Sequence, residues 1–349
     1  MTFLDSPVSP PGLAALLLAA LVWDALLGEP PALLHPVVWM GWAARAWFGQ
    51  GQTPAGEEHN PASPWVSMLF WRGALGAAVL PLAFGLGGAG GLAWGWAELW
   101  RLDGGTLRAA ALAGWWVAAV WWLKSALAFR GLGRAVQAVG QALAQNNLPL
   151  ARQNLSALCS RDATRLGESE LAAGAVSSAA ENLNDALVAP LFWFGVGGLA
   201  GAATFRTVNT LDAMVGYHGR WEFLGKVVAR LDDAMNWIPA RLTAVLILVS
   251  AGERDGRLAW RVWRRDHALT PSPNGGHPMA ALAGALGLRL EKPGSYILGA
   301  DGRHPSGADV APAWRLTRRA GWLAVLLTLG FLVGLEDRLS VFTGFVPLG

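Results

Sequence analysis

The chain has 349 residues, 53% of them hydrophobic and only 15% charged. An average soluble domain carries roughly 25% charged residues, so composition excludes an ordinary water-soluble enzyme and points to a membrane protein. The net charge of +3 sits in clusters, Arg257, Arg261, Arg264 and Arg265 in one, Arg315, Arg318 and Arg319 in another. They flank apolar runs and offer no stacking platform, which argues against a nucleic-acid partner and for anchoring on the cytoplasmic side of a bilayer.

The first apolar stretch, about residues 11–27, lacks a basic n-region and a cleavage site and reads as a retained membrane segment. Residues 50–64 read as a flexible loop. Apolar stretches follow at about 73–97, 109–123, 187–204, 238–251 and 320–336. Twenty tryptophans against two tyrosines suit an interfacial belt. Cys159 stands alone, so no intrachain disulfide forms, and it reads as a small buried apolar residue. Between 124 and 186, Leu127, Leu132, Val136, Val139 and Leu143 recur at helical steps. Asn146-Asn147-Leu148-Pro149 breaks that helix, and a second is expected over 168–188.

The expected fold is all-α: one membrane-embedded catalytic domain, 1–349, with about four spanning helices. Polar site-forming segments at 124–186 and 205–237 lie between apolar elements. The excess of cationic residues places Arg45, Lys124–Arg134, Arg257–Arg265 and Arg315–Arg319 in the cytoplasm. If 187–204 and 238–251 each crossed the bilayer, the Asp212–Asp233 loop would be cut off from the polar segment at 161–185. Re-entrant or shallow elements avoid this, since irregular backbone at membrane depth is tolerated where it lines a cavity.

Ionisable groups beside lipid are costly and mark function. Arg161 and Arg165 are spaced i,i+4, which on a helix aims both guanidinium groups at one anion; a solvated face with an Asp162–Arg pair is the bland alternative. Glu181 and Asp185 share that spacing, which is unfavourable unless a cation or a shared proton relieves it. Asn209 and Asp212, then Asp232, Asp233 and Asn236, crowd together with Arg206, Arg230 and Arg241. That mixture suits a metal–polyphosphate site or a salt-bridge network. Pro239 is expected to start the next apolar element. Ser272-Pro273-Asn274-Gly275-Gly276 leads into a small-residue helix, which presents either its N-terminus to an anion or a packing face. There is no P-loop, His-Glu-x-x-His or nucleophile elbow, and the scattered histidines make a zinc site a poor expectation.

In order along the chain stand Asp24-x-x-x-Gly28-Glu29-Pro30 with His35-Pro36-Val-Val-x-Met40-Gly41; Arg161-Asp162; Glu181-Asn182-x-x-Asp185 with Pro190-Leu-Phe; Asn209-Thr-Leu-Asp212-x-Met-Val-Gly-Tyr217; Ala229-Arg-Leu-Asp-Asp-x-x-Asn236 with Pro239-Ala-Arg241; and Ser272-Pro-Asn274 with Ala283-Gly-Ala-Leu. This series resembles the adenosylcobinamide-phosphate synthase family of cobalamin biosynthesis, the CobD/CbiB membrane proteins. Ala213 stands where that family commonly has serine, Arg206 where it often has lysine, and Met279 where some members carry an acid.

The resemblance implies an ATP-dependent acid–amine ligase of the inner membrane, multi-pass, with its site facing the cytoplasm. Its substrates would be adenosylcobyric acid and (R)-1-amino-2-propanol O-phosphate, or aminopropanol, and its product adenosylcobinamide phosphate. ATP is then co-substrate and Mg²⁺ the cofactor; the bilayer and other membrane-associated cobalamin assembly enzymes are the expected partners. Glu181, Asp185, Asp212, Asp232 and Asp233 are candidate metal ligands, with Asp162 or Asp212 as the proton acceptor. Arg161, Arg165, Asn182, Arg206, Asn209, Arg230, Asn236, Arg241 and Asn274 are candidates for binding ATP and substrate. A magnesium-dependent intramembrane prenyltransferase and a non-catalytic transporter or scaffold are the competing readings.

Overall fold

The computed structural model describes residues 10–49, 64–99, 101, 105–159, 162–216 and 221–343. The loop expected at 50–64 falls almost entirely outside them, as do Arg161 and Tyr217. Twelve helices run in chain order, with one short hairpin after the eleventh. They are α1 Pro10–Leu26, α2 Pro36–Phe48, α3 Pro64–Leu82, α4 Gly88–Leu99, α5 Thr106–Ala126 and α6 Phe129–Ala144. Then come α7 Leu148–Leu155, α8 Glu168–Leu183, α9 Ala189–Val215, α10 Glu222–Asp266, α11 Gly276–Leu286 and α12 Gly307–Thr343. The hairpin pairs β1 Leu290–Lys292 antiparallel with β2 Tyr296–Leu298, Glu291 opposite Ile297. The protein is an all-α polytopic membrane protein.

Among the described residues five helical runs are long and apolar enough to cross a membrane: Val66–Leu99, Thr106–Ala144, Glu168–Val215, Glu222–Leu269 and Gly307–Leu335. About four were expected from the sequence. The expectation set 187–204 and 238–251 aside as re-entrant and took 11–27 as spanning, whereas both of the former lie within long helical runs and Gly12–Leu26 is a shorter apolar helix.

The run Thr106–Ala144 is interrupted at Leu127–Ala128, and two others turn sharply at glycines. At Gly197 and Gly198 the backbone leaves helical geometry, Gly198 with φ 58° and ψ −145°. A side chain on Gly201 would fall against the Trp193 carbonyl oxygen. In an unbroken helix residues eight apart are separated by about 12 Å, so the chain doubles back here. The same happens at Gly252 (φ 77°), where a Cβ on Gly256 would stand 2.9 Å from the Leu248 carbonyl oxygen. The polar segment expected at 205–237 is helical where it is described, 205–215 within α9 and 222–237 within α10. Pro239 likewise lies inside α10 and does not start a helix; apolar packing of the flanking turns outweighs its missing N–H.

The chain folds as two compact units, interleaved in sequence: residues 1–127, 190–234 and 327–349, and residues 128–189 and 235–326. In the first, Ala44 and Phe48 of α2 pack with Leu69 and Ala77 of α3, Leu211 and Val215 of α9, and Leu224 and Val228 of α10. In the second, α8 is buried along Leu171–Ala180 and packs against α6, α7 and α11. Small residues make that approach possible. Gly133 has no room for a side chain beside Trp314, nor Gly284 beside Ala259 and Val262. The break expected at Asn146–Pro149 is present, with Asn146 at φ 54° and Asn147 Oδ1 accepting from Leu150 N at 3.1 Å to cap α7.

Candidate active site

In the unit formed by 128–189 and 235–326, α8 does not end cleanly at Leu183 but widens into a π-helical turn, Asn184–Val188. Such turns are rare and recur at functional sites. Asn184 is buried on it. Its Nδ2 donates to Asp185 Oδ1 (2.9 Å) and to Asn236 Oδ1 (2.7 Å). Its Oδ1 accepts from Thr243 Oγ1 at 3.1 Å. Both amide hydrogens and the oxygen are thus used, which fixes the amide orientation and with it the Asp185 carboxylate. Asn184 and Thr243 were missed from sequence. A regular helical period drew attention to positions 181 and 185, and the extra residue per turn brings position 184 to the interior.

Glu181, one turn earlier, has its carboxylate against the turn that opens α11. A Cβ on Gly275 would stand only 2.7 Å from Glu181 Oε1. That turn is held by Ser272 Oγ, which accepts from Asn274 N and Gly275 N at 3.2 Å each. Gly276–Ala285 of α11 are buried, as the packing-face reading of this segment expects. Asn274 is buried and accepts through Oδ1 from Arg241 Nη1 at 3.4 Å. Arg241 also donates to the Trp237 carbonyl at 2.6 Å and lies over the Trp237 ring, 4.2 Å from its centre. Asn182 turns away, donating to the Leu158 carbonyl at 3.1 Å, and braces the turn after α7.

The helical placement expected for Arg165 is not found, and Arg161 lies outside the described residues. Arg165 lies in a turn that precedes α8, and Asp162 makes that turn by accepting from Thr164 N (3.0 Å) and Thr164 Oγ1 (2.7 Å). An Asx turn competes with helix here. The two hydrogen bonds, backbone first, hold the exposed Asp162 carboxyl below its ordinary range.

In the other unit, Arg206, Asn209 and Asp212 follow one another at three-residue steps along α9, all partly buried. Asn209 Nδ2 reaches Asp232 Oδ1 on α10 at 3.5 Å. On the Asp233 carboxylate, burial is the larger influence and the opposite charge of Arg230 works against it. Gly216 leaves space for the Asp212 carboxylate, which a side chain there would strike. Among the described residues no three His, Cys, Asp or Glu side chains gather as metal ligands. The donor set therefore does not fit a calcium-type cage of carboxylates. Magnesium asks less of the protein, since it takes one or two carboxylates and completes its shell with water and substrate phosphate.

The same unit holds an ionic cluster that sequence reasoning did not assign. Lys124 of α5 is fully buried, with Nζ 3.1 Å from Asp24 Oδ1 and 2.8 Å from Glu29 Oε2. Glu29 also meets His35 Nε2 at 3.1 Å, and His35 Nδ1 caps α2 by accepting from Val37 N at 3.2 Å. Burial alone would raise the Glu29 carboxyl; the hydrogen bonds from His35 and Lys124 outweigh it and lower it. The signal available was Asp24 inside an apolar helix, which needs a cation, and Lys124 at the end of another.

Comparison with known proteins places this geometry in context. "Cobalamin biosynthesis protein CobD" of Dehalococcoides mccartyi (strain CBDB1) is 36% identical over 317 residues, 90% of this chain and 96% of its own. The protein of the same name from Chromobacterium violaceum is 37% identical over 326 residues, again 90% and 96%. "Probable cobalamin biosynthesis protein CobD" of Thermococcus kodakarensis is 37% identical over 315 residues, 89% and 94%. No solved structure matches the chain. The CobD/Cbib protein model matches residues 17–323, a span that takes in both groups of polar residues and the Lys124 cluster, and the chain belongs to that family.

Proposed function

We propose that this protein works in cobalamin biosynthesis as an ATP-dependent acid–amine ligase. It joins the free propionate of adenosylcobyric acid to the amine of (R)-1-amino-2-propanol O-phosphate, giving adenosylcobinamide phosphate. Family membership supports the pathway. The observation that carries the enzyme reading is the Asn184 network, in which one buried amide fixes Asp185, Asn236 and Thr243 on a π-helical turn. Buried polar networks in apolar helices are costly unless fully satisfied, and a transporter or scaffold has no need of one beside Glu181 and Arg241.

A carboxylate resists an amine because of its own charge. Transfer of a phosphoryl group from ATP to the propionate oxygen gives an acyl phosphate and ADP. The amine nitrogen then attacks the acyl carbon, the C–N bond forms, the C–O bond to phosphate breaks and phosphate leaves. The proton lost by the nitrogen goes to a carboxylate. Asp212 suits that role better than Asp162, whose hydrogen bonds from Thr164 make it a weak base. Arg206, Arg230 and Arg241, with Arg161 and Arg165, are assigned to substrate phosphates, where guanidinium groups stabilise developing charge. Glu181, Asp185, Asp212, Asp232 and Asp233 are the candidate carboxylates for magnesium, which when bound would neutralise phosphate charge.

A chain that reverses within an apolar stretch leaves the bilayer by the face it entered. The reversal at Gly197–Gly198 therefore supports a re-entrant 187–204 segment in the inner membrane, with the polar residues before and after it on the cytoplasmic side. The test is direct. Purified full-length protein with ATP, Mg²⁺, adenosylcobyric acid and aminopropanol phosphate should yield amide product and ADP together. Asp232→Asn should abolish product while leaving membrane insertion and folding intact. Product formation without ATP consumption would overturn the ligase reading, and full activity of Asp232→Asn would remove that carboxylate from the site.

A further inference from the structure

After the turn at Gly252, the returning arm of α10, Glu253–Asp266, is a basic helix. Its inner face is Ala259 and Val262, both buried. Arg254, Arg257, Arg261 and Arg264 recur at three- and four-residue steps on the exposed side, so their guanidinium groups share one face. Arg265 is already committed, bonded to Asp266 and Asp301. Arg257 meets Glu253 in an ion pair exposed at both ends (69% and 86%), a pair too solvated to hold it. Arg254, Arg261 and Arg264 have no carboxylate partner among the described residues. Arg264 lies 5.6 Å over the Trp260 ring, and Trp260 is 47% exposed.

Beside these cations the descending arm of α10 presents hydrocarbon. Val249 is 63% and Val245 43% exposed. Between the two surfaces runs an open groove of about 630 Å³, lined by Leu248, Val249 and Trp260 and by Arg257 and Arg261, two cations against the single carboxylate of Glu253. Gly256 gives it depth, because a side chain there would meet the Leu248 backbone. The groove is thus cationic along one wall and apolar along the other, with an indole at its lip. A soluble anion uses only the first wall. A molecule with a phosphate at one end and an acyl chain at the other uses both, and indole prefers that same boundary between headgroup and chain.

We propose that this groove is a binding site for an anionic phospholipid. The lipid phosphate sits between Arg257 and Arg261, one acyl chain lies along Val249 and Val245, and Arg264 with Trp260 closes the headgroup side. Charge complementarity selects the lipid class, since a zwitterionic headgroup brings its own cation to a surface already rich in them.

The site is tested by reconstituting the full-length protein in phosphatidylcholine mixed with phosphatidylglycerol, extracting it into mild detergent and measuring retained lipids by mass spectrometry. Phosphatidylglycerol should be retained well above its share of the bilayer. Each cation near an anionic lipid surface contributes about fivefold, so Arg261→Gln should lower that preference about fivefold and the triple Arg257→Gln/Arg261→Gln/Arg264→Gln roughly 100-fold. The equivalent triple at Arg315, Arg318 and Arg319 should leave it unchanged, and thermal unfolding in detergent checks that each variant is folded. No phosphatidylglycerol preference in the parent protein, or a preference that survives the Arg257/Arg261/Arg264 triple, overturns the proposal. Displacement of the lipid by millimolar inorganic phosphate or by an acidic peptide does so too, because the groove would then hold a soluble anion or a protein segment.

Discussion

Lys124 and Glu29 are 95 residues apart in the chain, yet Nζ and Oε2 lie 2.8 Å apart with the lysine wholly buried. Asp24, at 3.1 Å, completes the neutralisation. Removing one member of a buried ion pair leaves an uncompensated charge and typically costs 3–5 kcal/mol. Lys124→Met should therefore destabilise the protein by about that amount. Adding Asp24→Asn and Glu29→Gln to Lys124→Met should recover most of the loss. Thermal unfolding of the variants in detergent decides; a triple variant no better than the single would show that packing, not charge, sets the cost.

At Gly275 the prediction concerns the site rather than stability. The methyl of Gly275→Ala would press on Glu181 Oε1 from 2.7 Å, so the carboxylate must move while the helices keep their packing. Product formation should fall at least tenfold with little change in unfolding temperature. Wild-type activity in this variant would show that the position of Glu181 does not matter to catalysis.

Asn184 offers a graded test. Asn184→Ala removes hydrogen bonds to Asp185, Asn236 and Thr243 at once. Leaving such buried groups unsatisfied costs about 1–3 kcal/mol. Asn184→Asp keeps the oxygen that accepts from Thr243 but loses the donors to Asp185 and Asn236 and adds a charge. Its activity should be the lower of the two, although its shape is closer to that of asparagine.

A pH effect follows from His277. Burial first, then the charges of Arg241 and His267, push its pKa down to about 4 from 6.5. Its Nδ1 accepts from Trp263 Nε1 at 2.8 Å, and its ring lies 4.6 Å from that of His267, so the neutral form is the one the fold holds. The unfolded chain binds the proton more readily, which makes this contribution to stability complete above pH 6.5 and progressively lost between 6.5 and 4. His277→Gln should flatten the decline of unfolding temperature across that window. An unchanged slope would assign the acid sensitivity to other groups.

How much of this was legible in the sequence differs by feature. The amphipathic helix over Phe129–Ala144 was, because Leu132, Val136, Val139 and Leu143 carry an unbroken period onto one buried face. The polar residues at 181–185 and 206–236 were visible because charge among apolar residues is costly. Their local geometry was not. Asp162 reads as a helical partner of Arg161 and Arg165, yet its side chain closes a turn on Thr164. Positions 205–237 read as a polar segment because polar residues interrupt the apolar pattern, but Leu211, Val215, Leu224 and Val228 still supply a core face. Asn184 was hidden for a different reason: no period in the sequence announces a π turn. The pairing of Asp24 with Lys124 is long-range and had no local signal beyond each charge being in an unfavourable place.

The glycine pair at 197–198 has a bearing on biogenesis. In the re-entrant arrangement proposed above, a helix that doubles back has no hydrated loop to deliver across the bilayer, so export of a segment cannot fix its orientation during synthesis. Both arms must leave the ribosome before either settles, and a side chain at Gly201, which would wedge them apart at the Trp193 carbonyl, should slow that step as well as weaken the finished fold. Pulse-labelling of nascent chains bearing Gly201→Val would register it as delayed protease resistance in the membrane.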